Sequence, residues 1–401
     1  MRKRRIIKST GCLAAACLLL SNAALADVRF SDNVSTSSKQ VSVEQARSAE
    51  EWAKLRDNTV EWDELQDLVH EYNPTVSKLW INFQQEDKNG AYSSSYDDVL
   101  DLIEENYQDS LKSAGDSQIM EELAELQYKT SNTESSVDSS AQSTDREAAK
   151  LSCEKSEKSV TETIRTSIIS LYKAELQKQQ SELSRDNLKS AYERSERQQA
   201  AGKGTEADTL SAKQSLQEAE LTLQKSSDSM DKQRQLILVN LGYKYNDDVT
   251  LPEVPTISSD TVNAIDLSAD TQKALQNNYS ILINERKLAV STAESSRSSL
   301  TETIANEKEN VRSDMQSRYN TLKQSLNSLS QETLSAKNAA DTLTRTQRAY
   351  QSGNASKTEL ENAEYQSKTT ELSKQSAQYQ LAADYYSYLA GVEGLATADQ
   401  S

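Results

Sequence analysis

The residues that interrupt α-helix are confined to a few points of this 401-residue chain, and their placement limits its fold more than any other feature. The three prolines are Pro74, Pro252 and Pro255, and none lies within 116–201 or 280–352. Glycine keeps to the same scheme: Gly90 and Gly115 mark one early region, Gly202 and Gly204 sit together, Gly242 precedes Pro252 and Pro255, Gly353 stands alone, and Gly391 and Gly394 lie near the end. A disordered polar chain would scatter these residues, whereas helices that stop only where glycine releases them gather them. At about 1.5 Å per residue, unbroken helices over 116–201 and 280–352 would be on the order of 110 to 130 Å long, too long for a globular domain. A strand or a bend inside 285–345 would overturn this expectation.

Apolar residues along both segments recur at steps of three and four. Val160, Ile164, Ile168 and Leu171 form one seam, and Leu322, Leu326, Leu329, Thr333, Ala336, Ala340 and Leu343 form another. Such narrow stripes belong to coiled coils. Because many seam positions are Ser, Thr or Ala, one hairpin alone buries little area, and lateral association with other helices is expected. With 35% hydrophobic residues and two phenylalanines, the chain is too poor in core formers for a compact α/β enzyme.

Arg2, Lys3, Arg4, Arg5 and Lys8 precede an apolar run from Cys12 to Leu20, and Ala24-Leu25-Ala26 offers a small-x-small cleavage site. That pattern is a signal peptide over 1–26, removed before Asp27 on export. Neither Cys12 nor Cys17 has the Leu three positions earlier that lipidation would want. Removal takes five basic residues, leaving 45 − 5 = 40 against 62 acidic, a net charge of −22 that repels nucleic acid and anionic lipid. After residue 26 no stretch has the roughly 20 apolar residues of a transmembrane helix, and membrane contact is left open. Cys153 is then the sole cysteine and His70 the sole histidine, which leaves no Cys/His metal cluster and no His-based triad. Catalytic, metal and cofactor sites are accordingly not expected; His70 reads as structural, the carboxylates as solvated faces or tunnel lining, and Tyr379, Tyr385, Tyr386 and Tyr388 as helix packing.

Sliding the chain on itself at an offset of 151 pairs Val160 with Val311, Ile164 with Met315, Leu171 with Leu322, Gly202 with Gly353 and Leu221 with Leu372. A second match at offset 205 joins 61–74 to 266–279, so the first copy carries 205 − 151 = 54 extra residues, expected between about 80 and 160. The organisation that follows is a partly disordered segment over 27–58, a first helical repeat over 59–242 with an insertion near 82–135, a linker over 243–263, a second repeat over 264–395 and a tail over 396–401. Each repeat reads as a lead-in helix, a long descending helix, a tight turn and a long ascending helix. The turns comprise Gly202, Lys203, Gly204, Thr205 and Asp208, and Gly353, Asn354, Ser356 and Glu359. In each, glycine releases one helix, a hydroxyl caps the next, and a carboxylate meets its positive end.

This pattern resembles the TolC family of outer-membrane efflux proteins. The family's lead-in motif, L-x-x-A-x-x-x-A-L-x-x-N-P, is similar to WDELQDLVHEYNPTV (62–76) and more loosely to AIDLSADTQKALQNNYSIL (264–282). Its turn motif, A-G-x-x-[ST]-x-x-[DE], is similar to AAGKGTEAD and SGNASKTE, and its Leu-Gly helix end and Pro-rich crossover to LVNLGYKYNDDVTLPEVP. The likeness covers roughly residues 60–395. It implies an all-α tunnel domain of two long antiparallel helical hairpins, a homotrimer with twelve long helices, and docking of the turns on a periplasmic adaptor (membrane fusion protein) of an ABC or RND-type pump. It also implies a periplasmic or outer-membrane location. Two departures stand out: Ser211 and Asn362 replace the acidic residues the family often places nine positions after the glycine, and the second copy has no alternating strand pattern between Tyr279 and Gly353. In the first copy Trp80, Phe83, Tyr92 and Tyr96 lie near the place of the family's strands, with QQEDKNG among them. The expectation is therefore a β-barrel that is absent or vestigial. Two functional readings remain open, an export conduit and a barrel-less coiled-coil scaffold of the periplasm or cell wall; the turns read equally as docking sites and as plain hairpin closures.

Overall fold

A computed structural model describes residues 47–93, 95–114 and 118–399. The expected signal peptide, most of the 27–58 segment and the last two residues of the tail lie outside the described residues. Helix α1 (Ala49–Lys54) starts at a Ser48/Glu51 capping box, and the Arg47 guanidinium pairs with Asp67 at 3.0 Å and Glu71 at 3.1 Å.

The first repeat opens with α2 (Leu65–Tyr72) and α3 (Pro74–Lys88). Asn73 joins them: its side chain accepts from the Thr75 and Val76 amides, Pro74 occupies the first helical position where no donor is needed, and its Nδ2 donates to the Asn240 carbonyl at 2.8 Å. After α4 (Tyr96–Ala114), α5 (Gln118–Ser131) and α6 (Glu134–Thr144), α7 (Arg146–Ala200) descends and α8 (Glu206–Asn240) returns. The linker carries α9 (Ser259–Asn263), and the second repeat consists of α10 (Leu267–Asn277), α11 (Tyr279–Val290), α12 (Glu294–Gln351) and α13 (Lys357–Ala390). Asn278 repeats the role of Asn73, capping α11 and donating to the Ala396 carbonyl at 2.8 Å. Each joint is closed by a positive-φ glycine at a close approach. A Cβ on Gly242 would lie 2.4 Å from the Tyr72 Cβ, and one on Gly394 2.3 Å from the Asn277 carbonyl oxygen.

The four long helices stand side by side in the order α8, α7, α13, α12. Two cores bind them. The first gathers Leu65, Leu68, Val76, Trp80, Ile164 and Ile168; the second gathers Ile281, Val311, Met315, Leu322, Leu381 and Tyr388. Among the described residues there is no β-strand, only two isolated bridges, Thr59 with Thr250 and Ser93 with Asp145. The chain is all-α with no barrel among those residues, and no described helix is long and apolar enough to cross a membrane. Trp80 and Phe83 are buried in the first core and meet edge to face, with Tyr92 against Phe83, so these aromatics are core residues.

The single rods expected over 116–201 and 280–352 are not continuous. Between 116 and 201 new helices begin after the caps Thr133 and Asp145. In the second repeat the chain reverses at 291–293, inside the span where a bend would overturn the expectation of one rod. There α11 runs back along α12, with Asn284 bonded to Glu307 and Glu285 paired with Lys308. No glycine or proline makes that turn. Asp138 of α6, fully buried, accepts from the Thr292 amide at 2.8 Å, the Thr292 hydroxyl at 3.1 Å and the Ala293 amide at 2.8 Å, while Arg297 donates to the carbonyls of Leu288 and Ser291. The cap residue Ala293 has no side-chain acceptor, and the amides of the turn just ahead of α12 are thus held from the other repeat. Below the reversal α12 remains one helix of 58 residues.

Candidate functional site

Both hairpin turns lie at the same end of the molecule, because α7 and α13 run antiparallel and Arg194, just above the first turn, donates to Glu361, just above the second, at 2.7 Å. The turns share one backbone. Gly202 (φ 68°) sends its amide to Gln199 and Lys203 sends its amide to Gln198; Gly353 (φ 75°) and Asn354 do the same to Tyr350 and Ala349. This is the closed helix end that a left-handed residue permits, and open space around both glycines shows that conformation alone requires them. The next helix begins with a capping box. The Asp208 amide donates to the Thr205 hydroxyl and the Thr205 amide to the Asp208 carboxylate, and Ser356 and Glu359 are arranged likewise. The Thr205 hydroxyl and amide hold the Asp208 carboxyl below its ordinary range, and the Ser356 amide and hydroxyl do so for Glu359.

All nine predicted turn residues are therefore placed, and eight are exposed, with Gly204 half-buried against Gln198. Their geometry divides them. The acids and hydroxyls are committed to each other, whereas Lys203 is exposed at the tip, and the Asn354 side chain donates to the neighbouring Ser352 hydroxyl. Ser211 and Asn362, where the resembled family often carries acids, lie in the first turns above the tips.

The Arg194–Glu361 brace was not foreseen. Its only trace is that Glu361 corresponds at offset 151 to Leu210, so the repeat itself hides it. Above it Tyr172 stacks on Tyr379 at 5.7 Å and Lys173 donates to Gln380 at 2.6 Å, fixing the lateral contact between repeats. The outer edges of the four-helix array have no such cover. Leu210 and Leu221 on α8 and Leu334 on α12 are 66%, 62% and 59% exposed, large values for leucine on helices of this length.

His70 sits far from the turns, in a buried cluster where its Nδ1 lies 2.8 Å from the Glu157 carboxylate and Trp80 donates to the same oxygen at 2.6 Å. The bond to Glu157 raises its pKa. Among the described residues no three metal-ligating side chains converge.

No protein-family model and no curated protein matches the sequence. Solved structures do match. The open-state MtrE outer membrane channel of Neisseria gonorrhoeae aligns at a TM-score of 0.54 and 12% identity over 85% of this chain and 91% of its own. The outer-membrane channel OprN gives 0.52 and 12% over 86% and 92%, and the CmeC outer membrane channel of Campylobacter jejuni 0.52 and 10% over 89% and 90%. The fold is that of TolC-family outer-membrane channels. At such identity the likeness reaches the arrangement of TolC-type helices and leaves the chemistry of this chain to its own residues.

Proposed function

We propose that this chain is a subunit of an oligomeric α-helical conduit in an export or efflux assembly of the cell envelope. In this reading its paired turns dock a periplasmic adaptor that serves a pump. The chain conducts passively and catalyses nothing. What carries the reading is the lateral contact between repeats, because α12 and α8 are the repeat images of α7 and α13 at offset 151. Applying that offset to the contact pairs α12 of one copy with α8 of the next. Tyr172 and Tyr379 become Lys323 (172 + 151) opposite Asp228 (379 − 151), a complementary ion pair. Arg194 and Glu361 become Arg345 opposite Leu210, whose exposed face the arginine stem covers. Leu334 and Leu221 fall midway between these levels, so the three exposed leucines of the two edges share one seam. A head-to-tail interface closes a ring when its rotation divides a full turn, and a ring of three copies would place twelve long helices around a lumen.

The test is disulfide trapping. In a Cys153→Ser background, Leu221→Cys together with Leu334→Cys should give, on oxidation, a covalent ladder ending at the ring size. Lys323→Asp should weaken assembly and Asp228→Lys should restore it. A chain that stays monomeric at micromolar concentration would sink the conduit. The lack of strands among the described residues favours one rival, a barrel-less coiled-coil scaffold. Crosslinking at Lys203 and Asn354 to a co-encoded adaptor separates them, since a scaffold gives no adduct.

A further inference from the structure

The end of the molecule opposite the turns carries a surface of unusual composition. There, among the described residues, α5 packs chiefly on α4 and touches α6. Ala124 is buried toward α4, and Tyr128 stacks on Tyr107 at 4.4 Å. Winding from beside Ala124 to the side of α5 away from it are Met120, Leu123 and Leu126, which are 50%, 55% and 62% exposed. Three residues apart, they form one stripe along the helix. On its other flank α5 has three acidic residues against Lys129, and the neighbouring α4 has six against Lys112. The platform is held in place through α6: Gln142 donates to Ser291, Asp138 accepts from the Thr292 and Ala293 amides, and Asp145, the cap of α7, accepts from Arg286 of α11.

We propose that this stripe is a docking surface for a cationic amphipathic helix of a partner protein. The apolar residues supply a seam at helical spacing, and the acids of α5 and α4 beside it select lysine or arginine flanking a partner's apolar face. Anionic lipid and nucleic acid are repelled by the same field. A second copy of this chain would bring like charge against like charge, so self-association through this face is opposed. The proposal is independent of the conduit reading, because it concerns the other end of the molecule and needs no ring.

Fluorescence anisotropy of a labelled 18-residue Leu/Lys helix, titrated with the full chain, tests it. The wild type should bind with an affinity that falls as salt rises. Leu123→Ser with Leu126→Ser should weaken binding about ten-fold or more. Glu121→Gln with Glu122→Gln should weaken it less and flatten the salt dependence, while Ile81→Ser, an exposed apolar site on α3, should change nothing. A Leu/Glu helix of the same length should not bind. The proposal is overturned if the wild type fails to bind the cationic helix, if it binds the anionic one equally, or if Ile81→Ser matches the α5 variant. It is also overturned if the α5 variant lowers the chain's own assembly mass by light scattering, which would make a second copy the occupant.

Discussion

The lower ends of the two repeats are copies of one another, and the upper ends share almost nothing. At the bottom α7 and α12 stop at Ala200 and Gln351, α8 and α13 start at Glu206 and Lys357, and glycine, hydroxyl and acid occupy matching positions between them. At the top the first repeat spends residues 89–145 where the second spends 291–293, a difference of 57 − 3 = 54 that accounts for the two sequence offsets. A tight turn at an exposed tip is solved by its own backbone, so each copy keeps the same solution. The short upper turn has no side-chain cap of its own, and its amides are held by Asp138 from the long one. The asymmetry is therefore one structure shared by both repeats, and the 57 residues are part of the second hairpin's end.

The most severe way to break the shared half is at its joints. Gly242→Ala and Gly394→Ala each combine a positive φ with a Cβ pressed into the preceding lead-in helix, at 2.4 Å and 2.3 Å. Each should cost about 3 kcal/mol or more, read as a large fall in the urea midpoint. Next comes the upper end: Asp138→Ala leaves the Thr292 and Ala293 amides ahead of α12 without their acceptor and should cost about 2 kcal/mol. Hydrogen exchange should rise at 279–300 and stay unchanged at both tips. An equal rise at the tips would mean the two ends are not independent. A smaller effect sharpens the likeness of the lower ends. Gly202→Ala and Gly353→Ala have open space for the methyl group and carry only the left-handed conformation, so each should cost about 1 kcal/mol, and the two costs should agree. Unequal costs would show that the tips differ in ways their backbones do not.

The lower ends were legible in the sequence because glycine at C′ and a hydroxyl three residues on state a backbone geometry by themselves. The reversal at 291–293 was not. Ser291, Thr292 and Ala293 carry no breaker, and what turns the chain is a carboxylate more than 150 residues away in sequence. Thr133 and Asp145 were missed for a related reason: in a polar helix their side chains look like solvated face until they are seen accepting from Ser136 and Ala148 amides. Of the candidate site, the turn residues could be named, but the Arg194–Glu361 brace between them could not, since Leu210 stands at the matching place in the first repeat.

The smallest expected effect concerns the upper half of the first repeat, where His70 and Glu157 tie α2 to α7. The groups facing His70 are Glu157 from α7, Glu71 on its own helix, Arg47 from the N-terminal segment and the Trp80 ring from α3. Its folded pKa lies above the ordinary 6.5, first because of the bond to Glu157. Protonated His70 therefore contributes stability that is complete below that ordinary value and is lost as pH rises through the folded one. Burial also raises the folded pKa of Glu162 and Glu307, so they lose stability in the same sense as pH rises, starting from the lower carboxylate range. Between about pH 6 and pH 9 the urea midpoint should fall slightly in the wild type. His70→Gln should remove the part of that decline above the carboxylate range and leave the carboxylate part in place. No counterpart is expected from the second repeat, where Leu275 stands at the position equivalent to His70 (70 + 205). A decline that survives His70→Gln in full would show that the pair is neutral in the folded state, and that the two repeats respond to pH alike.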